Sequence, residues 1–171
     1  MSKTTDCLYF AYGSNLNLKD LGEFERKKFP NREKSFEDTT NILDGFFFLP
    51  DYQLQFTYQS IKREGGVLDV VPKLGHAVAG KLFEVRDWNL LDAKEGAPSV
   101  YEKIEITVIN ENGKTFDAFT YVVTSKNKVE YVEPNPKYVG IVSDGYDEFG
   151  ISQKHPWAHG NLISASKDQE C

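Results

Sequence analysis

Three short segments carry the residues best suited to chemistry. The first is Tyr9-Phe10-Ala11-Tyr12-Gly13-Ser14-Asn15-Leu16, an apolar run that meets a glycine and then two residues that can cap a helix. A strand feeding such a turn and then a helix leaves several backbone N–H groups pointing one way. Together with the helix dipole they suit a carboxylate or a phosphate. Gly13 would let the backbone approach a ligand with no Cβ in between. The same letters equally fit an ordinary strand-to-helix turn with Ser14 as its N-cap.

The second segment is Leu90-Leu91-Asp92-Ala93-Lys94-Glu95-Gly96. On a helix opened by Asp87 and closed by Gly96, Trp88, Leu91 and Glu95 share a face at i, i+3 and i+7. A carboxylic acid on that face loses hydration, so its pKa rises toward the range useful for proton transfer at neutral pH. The alternative is a solvated Glu95 in a last helical turn, and Asp92 and Lys94 fit that description better than Glu95 does. The third segment is Pro134-Asn135-Pro136-Lys137-Tyr138, where two prolines fix the start of a helix. Tyr138 could offer its hydroxyl to a ligand or could be plain core.

Other chemistries find less support. His155 and His159 stand at i, i+4, but Pro156 lies between them, Gly160 follows and no third ligand is evident, so no metal is expected. Cys7 lacks an obvious His partner, and His76 stands alone in a turn. The sequence has no G-x-S-x-G, no P-loop and no dinucleotide fingerprint. No cofactor is expected.

The elements that must position these residues are more strand than helix. Leu8 to Tyr12 suits a buried strand, and Leu16, Leu18, Leu21 and Phe24 suit one side of a short helix capped by Ser14 or Asn15. Tyr52, Leu54, Phe56 and Tyr58 alternate with Gln53, Gln55, Thr57 and Gln59, a half-buried strand. Further strands are expected at Val67–Val71, Val78–Val85, Glu102–Ile109 and Phe116–Val123, the last two joined in a hairpin at Asn110, Asn112 and Gly113. Asn135 and Pro136 open a helix bearing Tyr138, Ile141, Val142 and Phe149 on one side. After Gly150 the pattern weakens. These elements sum to an α+β fold, a strongly curved sheet or barrel with helices against it.

Bulk properties set the frame. The 171 residues match one domain, 1–171, and 12 Phe and 9 Tyr supply a core. A net charge of −6 without any basic run argues against a nucleic-acid partner. No apolar stretch approaches ~20 residues, and the start shows no signal-peptide pattern. With Cys7 and Cys171 alone, no disulfide framework is expected, and the reading is a reduced, cytoplasmic protein without membrane attachment.

The strings LYFAYGSNL, GGVLDVVPKLGHAVAGKLFEV, LLDAKEG and PNPKY, in this order from about Leu8 to about Ile151, resemble the γ-glutamylcyclotransferase family, related to AIG2-like proteins. The resemblance implies a small mixed β-barrel with flanking helices. It implies a substrate loop at Tyr9, Phe10, Ala11, Tyr12, Gly13, Ser14 and Asn15, a catalytic carboxylate at Glu95 and a ligand-contacting Tyr138. It further implies a small-molecule γ-glutamyl substrate cyclised to 5-oxoproline, and it allows a homodimer. Cyclotransferases acting on γ-glutamyl amines or on glutathione, and a non-catalytic binding module of the same fold, are the alternatives. The chain departs from the family pattern in its tail, 152–171, and at Lys62-Arg63-Glu64, which stands at the rim of the implied site.

Overall fold

The computed structural model describes residues 7–168. In chain order its elements are β1 (Cys7–Ala11), α1 (Leu18–Lys28), α2 (Phe36–Thr39), β2 (Asn41–Ile42), β3 (Phe47–Ser60) and β4 (Gly65–Val85). They are followed by α3 (Asn89–Glu95), β5 (Tyr101–Asn110), β6 (Thr115–Val123), α4 (Pro136–Glu148), α5 (Ile151–Lys154) and α6 (Pro156–Ala165). Strands β1, β6, β5, β3 and β4 are neighbours in that order, and β1 pairs back onto β4. The sheet is therefore a closed five-stranded mixed barrel, because the β1–β6 pair is parallel and the other pairs are antiparallel. Two seams are short: Phe47 and Phe48 pair with Asn110 and Ile109 between β3 and β5, and Tyr9 pairs with Phe119 between β1 and β6.

The interior is aromatic. Phe10, Phe56, Phe83, Leu82, Leu90, Leu91 and Tyr121 are among its buried side chains. Gly80 is required where β4 crosses β1, since a Cβ there would meet the Ala11 carbonyl oxygen at 2.3 Å and the Phe10 ring at 2.7 Å.

Local differences from the expected elements have simple causes. The two strands expected at Val67–Val71 and Val78–Val85 are one long strand, β4. Its exposed middle forms an arm with β3, and pairing shifts register between Pro50 and Tyr52. There the Gly75 N–H donates to Asp51 Oδ1 at 2.9 Å, a local side-chain bond that no alternation pattern announces. The β5–β6 hairpin turns as expected, with Gly113 at φ 80 and Asn110 Oδ1 accepting from the Asn112 and Lys114 N–H groups.

The tail, whose pattern had weakened, is helical through Ala165. Pro156 sits in the first turn of α6, where its missing N–H costs nothing, and Ile151, Ala158 and Leu162 are buried. Cys171 lies outside the described residues.

Candidate active site

The turn after β1 is built by three contacts from behind. Ser14–Leu16 form a single 3₁₀ turn, with the N–H groups of Leu16 and Asn17 donating to the Gly13 and Ser14 carbonyls at 3.0 Å each. The N–H groups of Gly13, Ser14 and Asn15 come before these and have no partner within such a turn. The cap of α1 is neither Ser14 nor Asn15: Asn17 Oδ1 accepts the Asp20 N–H at 3.0 Å. That correction matters, because it frees the Ser14 and Asn15 side chains for other partners. Helix α4 lies against the back of the turn at Gly145, where a Cβ would come within 2.8 Å of the Leu16 carbonyl carbon. The Tyr146 hydroxyl donates to the Tyr12 carbonyl at 3.0 Å, and the Tyr12 hydroxyl donates to the Tyr121 carbonyl at 2.7 Å.

Facing the turn is the end of α3. Asp87 Oδ1 accepts the Asn89 N–H at 2.9 Å, Leu90 and Leu91 anchor the helix in the core, and Gly96 ends it at φ 61. Trp88 precedes the helix and packs edge-on against Tyr9, with Lys103 over its face at 4.0 Å. Glu95 thus leaves the last turn toward the bend at Tyr12–Asn15. Its Oε1 accepts a hydrogen bond from Asn15 Nδ2 at 2.8 Å, and the same Nδ2 donates to the Tyr9 hydroxyl at 2.9 Å.

Burial pushes the Glu95 carboxyl above its ordinary value, opposed by Lys94, the Asn15 hydrogen bond and Arg63. Tyr138, at the start of α4, is placed by Asn135, whose Oδ1 accepts the Lys137 N–H at 2.9 Å. Its hydroxyl accepts the Leu68 N–H at 3.3 Å, and burial pushes its pKa up to about 12. Tyr101 completes that wall by donating to the Leu68 carbonyl at 2.6 Å.

Tyr9, Tyr12, Gly13, Ser14, Asn15, Leu68, Glu95, Tyr101, Tyr121 and Tyr138 line one narrow cleft with a cavity volume of about 20 Å³. Of the residues expected in the substrate loop, Phe10 and Ala11 are not part of it. Both are fully buried in the core, because successive strand residues face opposite sides and Ala11 lies under Gly80.

Lys94 also departs from expectation. Its side chain is only 5% exposed, and Nζ reaches Asn15 Oδ1 at 2.6 Å, Asp20 Oδ2 at 3.1 Å and Ser14 Oγ at 3.2 Å. Asp20 is held in turn by both terminal nitrogens of Arg63, at 2.9 and 2.7 Å. Sequence reasoning passed over Lys94 and Asp20 because their partners are brought together only by the fold. Asp92, by contrast, stays at the surface with 38% of its side chain exposed.

A second cavity adjoins the cleft. It shares Ser14, Glu95, Tyr101 and Tyr138 with it, and adds Arg63, Phe24 and Tyr58. The two histidines are engaged elsewhere. His159 Nε2 lies 3.1 Å from Ser143 Oγ, and the His155 ring packs against Phe46 and Phe48. Among the described residues, no three His, Cys, Asp or Glu side chains gather as metal ligands.

The AIG2-like family model matches residues 77–158. A solved structure of a gamma-glutamyl cyclotransferase superposes with a TM-score of 0.72 at 25% identity, covering 95% of this chain and 89% of that one. An uncharacterized protein from Homo sapiens does so at 0.72 and 26%, covering 96% and 90%.

Residues 77–158 resemble the AIG2-like family, and the chain has the γ-glutamylcyclotransferase fold.

YkqA from Bacillus subtilis shares the fold at a TM-score of 0.67 and 20% identity, covering 90% of this chain and 54% of its own. No curated protein sequence matches significantly. Among the described residues, no helix is long and apolar enough to cross a membrane.

Proposed function

We propose that this chain is a γ-glutamylcyclotransferase, converting a γ-glutamyl compound to 5-oxoproline with Glu95 as acid and base. The observation that carries the reading is the meeting of Glu95, the Gly13–Asn15 turn and Tyr138 on one cleft. In this reaction the substrate's own α-amine attacks its γ-carbonyl carbon. One C–N bond forms to close the ring, and the C–N bond to the leaving amine breaks. The substrate brings its nucleophile, so the protein's tasks are folding the substrate, stabilising charge and moving one proton.

Orientation into a near-attack shape contributes several kcal/mol, on the order of what an intramolecular arrangement supplies. The N–H groups of Gly13 and Ser14 would hold the α-carboxylate or meet the oxyanion that develops on the γ-carbonyl. The Glu95 carboxylate would take the proton from the attacking nitrogen and return it to the departing one, assistance typically worth ~10²–10⁴ in rate. Tyr138 would offer its hydroxyl to the bound glutamyl group.

Purified protein incubated with γ-Glu-Ala should release 5-oxoproline and alanine. Glu95→Gln should keep binding, measured by calorimetry with 5-oxoproline, and lose turnover by at least ~10²-fold. Normal turnover by Glu95→Gln would remove Glu95 from the reaction. Binding of 5-oxoproline with no turnover of any γ-glutamyl compound would point instead to a non-catalytic binding module.

A further inference from the structure

Lys94 is a buried ammonium that reaches three acceptors. It has three N–H donors and no acceptor capacity, and Asn15 Oδ1, Asp20 Oδ2 and Ser14 Oγ lie within 3.2 Å of its Nζ. Its own position is fixed from the far side, because the Arg63 guanidinium grips Asp20 with two parallel bonds. The chain of contacts thus runs Arg63–Asp20–Lys94–Asn15–Glu95, from the β3–β4 hairpin through α1 and α3 to the carboxylate.

An asparagine amide has two ends of nearly equal shape and opposite polarity. Beside an ionised Glu95 either a donor or nothing is tolerated, but beside a protonated Glu95 the amide oxygen would serve as well. Lys94 removes that freedom, since only the oxygen can face an ammonium. The Asn15 NH₂ is therefore held on Glu95 Oε1 whichever state the carboxyl is in. With Oε1 occupied by a donor, a proton taken up by Glu95 has only Oε2 to occupy.

We infer that Lys94 is a positioning residue, which locks the Asn15 amide so that Glu95 carries its travelling proton on Oε2. The inference deepens the cyclotransferase reading and rests on it for the proton's destination, but the lock itself exists without a substrate. The groups facing Glu95 from the surrounding elements are Tyr9 on β1, Tyr12 and Asn15 at the turn, Lys94 on α3, Arg63 at the hairpin, Tyr101 on β5, Tyr121 on β6 and Tyr138 on α4. Lys94 and Arg63 are the cations among them, and Lys94 is the one that also touches Asn15. A nearby cation favours the carboxylate, in line with the lowering that Lys94 exerts on Glu95.

Two variants and three readouts test this. ¹³C NMR of the Glu95 side-chain carboxyl, titrated in the free protein, reports its pKa without any turnover. Lys94→Met should move that pKa up and should carry the acid limb of kcat/KM up with it. It should also lower kcat about tenfold or more, with KM within about threefold of wild type. Lys94→Gln keeps an N–H donor for Asn15 Oδ1 but no charge. It should shift the Glu95 titration as Lys94→Met does while losing less of kcat.

A Lys94→Gln kcat no better than that of Lys94→Met would overturn the proposal, as would an Asn15 side-chain NH₂ resonance that stays unchanged in Lys94→Met. If Lys94→Met does not fold, Lys94→Leu takes its place in both comparisons. Absence of turnover by the wild type on every γ-glutamyl compound would sink the cyclotransferase reading and the proton's destination with it, while an Asn15 side-chain NH₂ resonance that changes in Lys94→Met would leave the lock standing.

Discussion

Asn15 Nδ2 lies 2.8 Å from Glu95 Oε1, although 80 positions separate the two residues in the chain. The contact joins the turn after the first strand to the last residue of α3, and it does so across the mouth of the cleft. Replacing Asn15 by Leu keeps the bulk and removes both polar ends. Lys94 Nζ, the Tyr9 hydroxyl and Glu95 then each lose a partner in a buried setting. A buried group left unsatisfied costs about 1–3 kcal/mol. Asn15→Leu should therefore melt lower by that order in calorimetry, and its kcat/KM should fall about 10–10²-fold, because the acid is present but no longer oriented.

Tyr138→Phe isolates a single hydroxyl. The ring keeps its packing against Phe56 and its place under Arg63, while the acceptor for the Leu68 N–H and the hydrogen bond to the Ser14 side chain are lost. Denaturant unfolding should show a loss of about 1–2 kcal/mol. If the hydroxyl also contacts the glutamyl group, KM for γ-Glu-Ala should rise several-fold with kcat less affected. A stability loss with unchanged KM would confine Tyr138 to a structural role.

Most strands and helices were readable from local pattern, since alternation, caps and turn residues act over a few positions, but pattern alone left a curved sheet and a barrel both open. Gly96 ends α3 and Asn135 with Pro136 opens α4 where the letters place them, whereas α3 starts at Asn89, after Trp88 as its N-cap, later than Asp87 suggested. What escaped was long-range or cooperative. Asn17, one residue beyond the glycine-containing string, caps α1 and thereby releases Ser14 to Lys94. Lys94 looked like a surface residue because it lies off the Trp88–Leu91–Glu95 stripe; its counter-ion Asp20 is brought up by α1. Phe10 and Ala11 were grouped with the loop because they share its string, yet strand geometry turns them into the core.

Two glycines of α4 should respond to alanine with opposite signs. At Gly145 a Cβ would meet the Leu16 and Asn17 backbone at 2.8 and 2.9 Å, which cannot yield as a flexible side chain can. Gly145→Ala should cost about 1–3 kcal/mol by overpacking, and it should lower turnover by pushing the turn that carries Asn15. At Gly140 a Cβ meets nothing within 4 Å. Gly140→Ala should raise stability by about 0.5–1 kcal/mol through helix propensity, with turnover unchanged. Thermal melts of the pair, read beside activity on γ-Glu-Ala, check both at once.

The Arg63–Asp20–Lys94 cluster predicts how the protein meets acid. Burial pushes the Asp20 carboxyl up, but the hydrogen bonds and charges of Arg63 and Lys94 outweigh it and bring its pKa from 3.8 down to about 2. A carboxyl whose folded-state pKa is depressed binds protons more readily when unfolded, so stability falls as pH falls. Its contribution is present in full above about pH 4 and is lost progressively down to about pH 2. Asp20→Asn should therefore be less stable than wild type at neutral pH, where Arg63 and Lys94 lose their counter-ion. Below about pH 2 the two proteins should converge, as Asp20 itself becomes neutral. Chemical denaturation at several pH values between 2 and 7 measures the gap, and a gap that stayed constant across that range would place the acid sensitivity in other carboxylates.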